Sequence, residues 1–326
     1  MPDPAQRLPL GRTGLTVSRL GVGGTPFGNL FRPISDADLS AAFARAWERG
    51  LRFFDTAPQY GGGLSEQRLG RLLAGKPRGD YVLSSKVGKR LAPTADGRAP
   101  EGIFAHGAPF EVWYDYSYDG ALRSIEESLD RLGVDRLDLV LIHDVNRKYH
   151  GDRVWEVFAQ ARDGACRALS RLRDEGVIAG YGPANRELDV NLRFVAETDM
   201  DCMMLPSRFT LLDRSAGDEL LPRCLEKGIG VLLAGAFDSG ILATGPVAGA
   251  TYAYAAADAA VQARVRGFET TCAASGVALA SAALQFPFRH PCIASVVTGM
   301  SNAGEVDANL AHMAAPVPDD LWARLV

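Results

Sequence analysis

The chain contains 326 residues, of which 47% are hydrophobic and 23% are charged, and its net charge is −4 at pH 7. This composition supplies material for a large core and argues against a disordered chain. Because the charge gives no broad basic field, nucleic acid is a poor candidate partner, and we expect a small molecule instead. The length suits either one large barrel or two ordinary domains.

The cysteines and the hydropathy indicate a cytoplasmic protein. No cationic region followed by a long apolar one begins the chain, and no apolar run of about 18 residues occurs later, so we expect no membrane partner. The cysteines are far apart, without a C-x-x-C pair or zinc spacing, and are typical of reduced thiols. They are Cys166, Cys202, Cys224, Cys272 and Cys292.

Eight short apolar runs predict eight strands. Most are apolar over about four to six residues, as expected for a parallel sheet buried on both faces. In chain order they are RLGVGG at 19–24, RFFD at 52–55, YVLSSK at 81–86, DLVLIHD at 138–144, VIAGYGP at 177–183, CMMLPS at 202–207, GVLLAG at 230–235 and ASVVTG at 294–299.

The stretches between these runs have helical periodicity. In residues 34–50, Ser35 or Asp36 can cap the start of a helix and Gly50 can end it. Residues 121–133 repeat this design, with Gly133 at the end. The apolar faces consist of Leu39, Phe43, Ala46 and Trp47 in the first helix and Leu122, Ile125, Leu129 and Leu132 in the second.

Strands that alternate with helices favour a (β/α)8 TIM barrel, although the pattern alone leaves a doubly wound open sheet possible. We expect one domain over residues 1–326. Two short extended pieces in residues 7–18 predict a β-hairpin that closes the bottom of the barrel. Two long connections, from Gly88 to about Asp119 and from Ser239 to about Ala257, follow the carboxyl ends of strands, where a barrel builds its site.

Four ionisable residues collect at this end of a barrel. Asp55, Lys86 and His143 end three successive strands, and Tyr60 lies just beyond the first of them. Tyrosine, with an ordinary pKa of ~10, transfers protons only if a nearby ammonium such as Lys86 stabilises its phenolate. Asp55 can hold Lys86, and His143 can donate a hydrogen bond to a substrate oxygen. Such a set suits hydride transfer at a carbinol carbon by a nicotinamide cofactor.

Other interpretations of these residues are open. Lys86 could form a Schiff base in a lyase, and the barrel could be a subunit that binds a nucleotide without catalysis. Each residue taken alone is more often a cap or a surface charge. His143 and Asp144 are adjacent, but no H-x-H or H-x-x-x-H partner accompanies them, so we predict no metal site.

The run from Gly50 to Tyr60, followed by Glu66, resembles the first signature of the aldo-keto reductase superfamily. The contexts of Lys86 and His143 resemble its other two catalytic positions, and the likeness spans essentially the whole chain. The resemblance implies a barrel that binds NAD(P) in an extended pose. It also implies a catalytic tetrad consisting of Asp55, Tyr60, Lys86 and His143.

The resemblance implies the cofactor contacts as well. Asn185 takes the position of the Asn that holds the nicotinamide carboxamide in that family. Pro206 stands where many members have Gln, and Ala234 where many have a stacking Tyr, so Arg208 and Phe237 are expected substitutes. The full set of expected cofactor residues is Asn185, Arg208, Ala234, Gly235, Phe237, Thr298, Gly299, Ser301, Glu305 and Asn309.

The end of the chain favours NAD over NADP. Members that prefer NADP usually carry a Lys and an Arg around the 2'-phosphate, and here those positions are Gly299 and Glu305. A carboxylate repels a phosphate but accepts hydrogen bonds from a free ribose diol.

Segments 114–144, 205–213 and 232–242 are similar to the branch containing pyridoxal 4-dehydrogenase and aldose 1-dehydrogenases such as L-fucose and D-threo-aldose dehydrogenases. That branch oxidises a cyclic hemiacetal to a lactone, which makes a carbonyl or hemiacetal the expected small-molecule partner. The tetrad equally permits an NADPH-dependent aldehyde or ketone reductase. Phe27, Trp113 and Tyr114 are the expected substrate contacts, and Trp113 and Tyr114 could instead be packing anchors.

Overall fold

The structure, a computed structural model, describes residues 2–325. The strands are β1 (Arg7–Pro9), β2 (Thr16–Ser18), β3 (Leu20–Gly23), β4 (Phe53–Asp55), β5 (Val82–Pro93), β6 (Phe110–Asp115), β7 (Leu139–His143), β8 (Gly180–Ala184), β9 (Cys202–Pro206), β10 (Gly230–Ala234), β11 (Thr251–Tyr252), β12 (Ala255–Ala256) and β13 (Ile293–Gly299). The α-helices are α1 (Asp36–Glu48), α2 (Leu64–Leu73), α3 (Tyr118–Leu132), α4 (Arg147–His150), α5 (Val154–Gln160), α6 (Arg167–Asp174), α7 (Leu188–Glu197), α8 (Leu220–Glu226), α9 (Ile241–Thr244), α10 (Ala259–Ala273), α11 (Leu279–Gln285), α12 (Ala303–Ala314) and α13 (Asp319–Leu325).

Eight parallel strands form a closed barrel. The order around the ring is β3, β4, β5, β7, β8, β9, β10 and β13, and the pairing of β13 with β3 closes it. These strands coincide with the eight apolar runs, and helices connect them. The prediction of a (β/α)8 barrel is therefore confirmed, and the open sheet is excluded because each of the eight strands has a neighbour on both sides.

The predicted hairpin lies at the bottom of the barrel. β1 and β2 pair antiparallel, with Arg7 opposite Ser18. Between them, Leu10 is fully buried and packs with side chains of the barrel interior such as Phe53. Gly11 adopts φ +50°, and a Cβ there would lie 2.3 Å from the backbone nitrogen of Gly230. Only glycine allows this close approach to the start of β10.

The predicted capping signals mark both ends of α1 and the end of α3. The Ser35 side chain accepts a hydrogen bond of 3.0 Å from the backbone N–H of Asp38 at the start of α1. Gly133, at φ +63°, ends α3, which begins three residues earlier than the predicted segment because Ser117 caps it. No helix in the part of the chain described, residues 2–325, is long and apolar enough to cross a membrane.

The two long connections contain regular structure that the sequence pattern did not indicate. β5 runs past the barrel wall to Pro93 and pairs antiparallel with β6, which forms a two-stranded ribbon beside the barrel mouth. The second connection contains α9 and the short β11–β12 hairpin. Treating residues 88–93 and 110–115 as loop was wrong, because the pattern of apolar runs does not reveal a strand that leaves the core.

Candidate active site

The four ionisable residues come together at the mouth of the barrel. Asp55 ends β4, Lys86 lies in β5, His143 ends β7, and Tyr60 follows β4 in the next turn. Because parallel strands all point the same way, their carboxyl ends meet at one rim. Asp55 and Lys86 are each 2% exposed. Burying either charge without the other would destabilise the folded protein.

Asp55 and Lys86 form a fully bonded ion pair. The Lys86 Nζ donates to Asp55 Oδ1 at 2.9 Å, to Asp55 Oδ2 at 2.7 Å and to the carbonyl of Thr56 at 2.8 Å. The Ser84 hydroxyl donates to the same carboxylate at 2.7 Å. An ammonium has three N–H donors, so this arrangement uses all of them. It holds Lys86 as a charged group and argues against its use as a Schiff-base nucleophile.

Tyr60 lies beside this pair. The Lys86 Nζ is 4.9 Å from the centre of the Tyr60 ring, and the ring of His143 is 5.9 Å away at 85°. Gly28 packs against the Tyr60 backbone so closely that a Cβ would lie 2.6 Å from the Tyr60 carbonyl carbon. Desolvation, followed by the Asp55 carboxylate, raises the pKa of Tyr60 well above its ordinary value. The hydroxyl therefore keeps its proton at neutral pH.

His143 is a neutral imidazole. Burial, followed by the positive charges of Lys89 and Lys86, lowers the pKa of His143 well below 6.5. The Tyr116 hydroxyl donates to the His143 carbonyl at 2.7 Å and fixes the end of β7. The Nδ1 atom is buried without a hydrogen-bond partner. A neutral ring in this position can donate one hydrogen bond to a substrate oxygen.

Lys89, Asp144 and Gln59 also belong to this site, although the sequence did not single them out for it. The Lys89 Nζ donates to Asp144 Oδ2 and to Gln59 Oε1, both at 2.6 Å. Gly88, at φ +95°, interrupts the regular alternation of side chains between the two faces of β5. As a result Lys89 faces the mouth although it lies three residues after Lys86. In the sequence, the glycine in SKVGK is the signal that could have indicated this orientation of Lys89.

Buried polar atoms without partners lie at the carboxyl ends of β7, β8 and β13. Among them are Nδ1 of His143, Oδ1 of Asn185 and Oγ1 of Thr298. Asn185 is fully buried, and its Nδ2 donates to the Val145 carbonyl at 2.9 Å, which fixes the amide and leaves Oδ1 as an acceptor. Buried polar groups normally have partners. An Asn oxygen of this kind fits the amide N–H of a nicotinamide carboxamide.

The residues expected around β9 and β10 are only partly free to contact a cofactor. The Arg208 guanidinium donates to Asp213 at 2.8 Å and to the Arg186 carbonyl at 3.0 Å, so it is held in the protein. Gly235 follows β10 at φ +68°, and a Cβ there would lie 2.4 Å from the Ser207 hydroxyl. Ala234 ends β10, and Phe237 packs on the core in the next turn.

Glu305 lies in the first turn of α12, beyond the end of β13. Its carboxylate accepts from the Ser301 N–H at 2.7 Å, the Ser301 hydroxyl at 2.8 Å and the Asn302 amide at 2.9 Å. Asn302 in turn caps the Glu305 N–H, so the two form a reciprocal cap at the helix start. Gly299 is exposed just before this cap, and Asn309 is buried one turn later. The Glu305 carboxylate therefore already accepts from the donors that would otherwise attract an anion to the start of α12.

The three expected substrate contacts lie in different surroundings. Tyr114 is opposite Lys89 in the ribbon and shares the face that contacts the mouth, whereas Trp113 is opposite Arg90 on the other face, 4.8 Å from its guanidinium. Adjacent strand residues point to opposite faces, so both rings cannot face one pocket. Phe27 is only 1% exposed and packs in the core outside the barrel wall.

Phe104 is an aromatic residue near Tyr60 that we did not predict as a contact. Its ring centre is 5.7 Å from that of Tyr60. With neighbours in residues 99–106 it lines a cavity of 570 Å³. It stands in the long connection between β5 and β6, whose aromatic content was the available signal.

Comparisons with known proteins agree with this geometry. The model of the Aldo/keto reductase family matches residues 19–326. Pyridoxal 4-dehydrogenase of Microbacterium luteolum is 38% identical, over 98% of this chain and 96% of that protein. D-threo-aldose 1-dehydrogenase of a Pseudomonas species is 37% identical, over 96% and 94%. The holo structure of an aldo-keto reductase from Bacillus halodurans superposes with a TM-score of 0.76 at 25% identity, over 98% and 95%.

Proposed function

The chain belongs to the aldo/keto reductase family and is an NAD(P)-dependent oxidoreductase, and we propose that it oxidises a cyclic hemiacetal to a lactone with NAD. One observation carries the chemistry: Lys86, with all its donors on Asp55 and Thr56, lies 4.9 Å from the Tyr60 ring. This places a fixed positive charge beside the ring whose hydroxyl would exchange the proton. The bound cofactor supplies the hydride acceptor.

In this reaction the substrate loses a hydride from the anomeric carbon and a proton from its hydroxyl. Tyr60 as phenolate takes the proton, and His143 orients the oxygen by donating a hydrogen bond to it. The raised pKa of Tyr60 means that the phenolate needs additional positive charge nearby. Lys86 already lies beside the ring, and an oxidised nicotinamide would add the further charge. Because the phenolate fraction of Tyr60 grows with pH, we expect the oxidation to become faster as the pH rises.

The surroundings of Glu305 support NAD. A 2'-phosphate at this helix end would meet a carboxylate whose neighbouring donors are already bonded, and the like charges would repel. Glu305→Gln removes the charge and keeps the size and most of the cap. We expect it to strengthen NADP binding at least about tenfold, which corresponds to about 1.4 kcal/mol, and to leave NAD binding nearly unchanged.

Fluorescence titration of wild type and Glu305→Gln with both cofactors tests this proposal. Glu219→Gln, on the exposed surface of the molecule next to α8, is the control for a general effect of charge. A wild type that binds NADP more tightly than NAD would overturn the assignment of NAD.

The substrate class rests on the relatives and on the mouth of the barrel. The two relatives are named for pyridoxal and for threo-aldoses, both of which form cyclic hemiacetals. The polar pair Lys89–Asp144 and the ring of Tyr114 supply hydrogen bonds and an aromatic face, as such ring substrates require. A panel of aldoses and pyridoxal with NAD at mildly alkaline pH, with detection of the lactone, tests the class. Absence of NADH formation across the panel would refute it.

A reductase of aldehydes or ketones is the second candidate. The protonated state of Tyr60 favours it, because a tyrosine that holds its proton is ready to act as an acid. Comparing kcat/KM for the two directions, with each cofactor, separates the candidates. A reduction with NADPH that exceeds every NAD-linked oxidation would favour the reductase.

A further inference from the structure

A charged pair beside His143 takes no part in the proton transfer described above. Lys89 is 1% exposed, and its Nζ lies 2.6 Å from Asp144 Oδ2. The same oxygen lies 3.5 Å from His143 Nε2. Asp144 adopts φ +54°, a left-handed conformation that residues other than glycine adopt infrequently, although Asp and Asn adopt it more readily than most. Conformations of this kind persist where the surroundings fix them and are frequent at functional sites.

The surroundings of Asp144 fix its carboxylate toward the ring. Asn146 Nδ2 donates to Asp144 Oδ1 at 3.1 Å, and the Asp144 N–H donates to the Ala184 carbonyl at 3.0 Å. Lys89 is in turn held by Gln59 and lies 3.8 Å from the centre of the Tyr149 ring. The pair is therefore attached to three separate elements of the mouth.

We propose that Asp144, fixed by Lys89, is a positioning residue that holds the neutral ring of His143 in the tautomer with its proton on Nε2. A neutral imidazole carries one proton, and a carboxylate stabilises the N–H that faces it. Asp144 is on the Nε2 side, whereas Nδ1 is buried without a partner. At 3.5 Å the carboxylate favours the proton on Nε2 through its charge and makes no hydrogen bond to it, so that N–H stays available to the substrate oxygen, and in this respect the inference rests on the proposed function and deepens it.

The charges around the His143 ring explain why a cation, Lys89, accompanies the anion, Asp144. A lone carboxylate beside His143 would favour imidazolium, and Lys89 offsets that effect. Lys86 adds a second positive charge, and the ring stays neutral, in accord with the lowered pKa of His143. The titratable groups that face the ring or its backbone from the packed elements are Asp144, Lys89, Lys86, Tyr60 and Tyr116.

Nitrogen NMR of the cofactor-free protein, labelled with 15N at histidine, tests the tautomer. His143→Gln assigns the ring signals, and wild type should show His143 with the proton on Nε2. Asp144→Asn tolerates the left-handed backbone and should increase the population with the proton on Nδ1 at least about threefold, because Asn can donate to Nε2. An unchanged tautomer in Asp144→Asn would overturn the proposal.

The role of Lys89 has its own test. Lys89→Met frees the Asp144 carboxylate, and the NMR titration midpoint of His143 should rise by about one pH unit or more. Lys89→Met/Asp144→Asn is uncharged at both positions and controls for misfolding, and it should return the midpoint toward that of wild type. A midpoint that does not move in Lys89→Met would refute the role of the pair.

Kinetics connects the tautomer with the reaction. Asp144→Asn should lower kcat with little change in the KM for the cofactor, whereas Asp189→Asn, which removes an acid that pairs with Arg147, should leave both unchanged. The NMR measurement needs no substrate. If the tautomer depends on Asp144 but wild type oxidises no hemiacetal, the proposed function fails and the positioning role stands.

Discussion

Removal of Lys86 should show how much the protein depends on the buried pair at the mouth. Lys86→Met keeps most of the side-chain volume but deletes three hydrogen bonds of 2.7 to 2.9 Å. Asp55 would remain 2% exposed with the Ser84 hydroxyl as its main partner. An uncompensated buried carboxylate of this kind costs about 3–5 kcal/mol, so we expect the free energy of unfolding to fall by that amount.

The double variant Asp55→Asn/Lys86→Met separates charge from packing. It leaves no buried charge, so the loss should be only about 0–2 kcal/mol relative to wild type. Urea unfolding followed by far-ultraviolet circular dichroism measures both values by linear extrapolation. Both variants should be inactive, because both lack the ammonium beside Tyr60.

Arg223→Met supplies the matched control. Arg223 pairs with Glu219 at 2.7 Å on the surface of α8, where both side chains are more than half exposed. Its loss should cost less than about 1 kcal/mol. The reasoning would be refuted if Lys86→Met lowered the free energy of unfolding by no more than Arg223→Met does. It would also be refuted if the double variant were as unstable as Lys86→Met alone.

Three other residues give further predictions. Tyr60→Phe should lower kcat by on the order of 10²–10⁴ while cofactor affinity in a fluorescence titration stays unchanged, and a smaller loss would count against Tyr60 as the proton-transfer group. Because the pKa of His143 is lowered in the folded state, the unfolded chain binds a proton that the folded one does not. Stability should therefore fall as the pH drops below 6.5, and urea midpoints at about pH 7.5 and about pH 5.5 should differ less in His143→Gln than in wild type. Gly88→Ala places a Cβ 2.2 Å from the Tyr116 ring, at a φ of +95°. It should lower the free energy of unfolding in urea by about 1–3 kcal/mol, and an unfolding midpoint equal to that of wild type would contradict this prediction.

The barrel and the meeting of the four ionisable residues were predictable from the sequence for one physical reason. A buried parallel strand is apolar along its length, so the first ionisable residue that follows the apolar run marks its carboxyl end, as at Asp55 and His143. Once the strands alternate with helices, those ends lie on one rim.

The surroundings of the site were less predictable, because they depend on register and on strands outside the core. No apolar run indicates that β5 continues to Pro93. Tyr114 and Trp113 point to opposite faces of the ribbon, and which of them faces the mouth follows from the pairing of β6 with β5. The position of Lys89 depends on the backbone angle of a single glycine, Gly88. Phe27 was expected at the substrate, but a buried aromatic residue near a strand end equally suits the core, where it lies.

Gly88 also divides one continuous strand into two parts that can change independently. Before it, β5 belongs to the barrel wall and carries Lys86, whose position the neighbouring strands determine. After it, the strand is bonded mainly to β6 and borders the entrance. Substitutions in the ribbon beyond Lys89 can therefore change which substrates enter without disturbing the ammonium beside Tyr60.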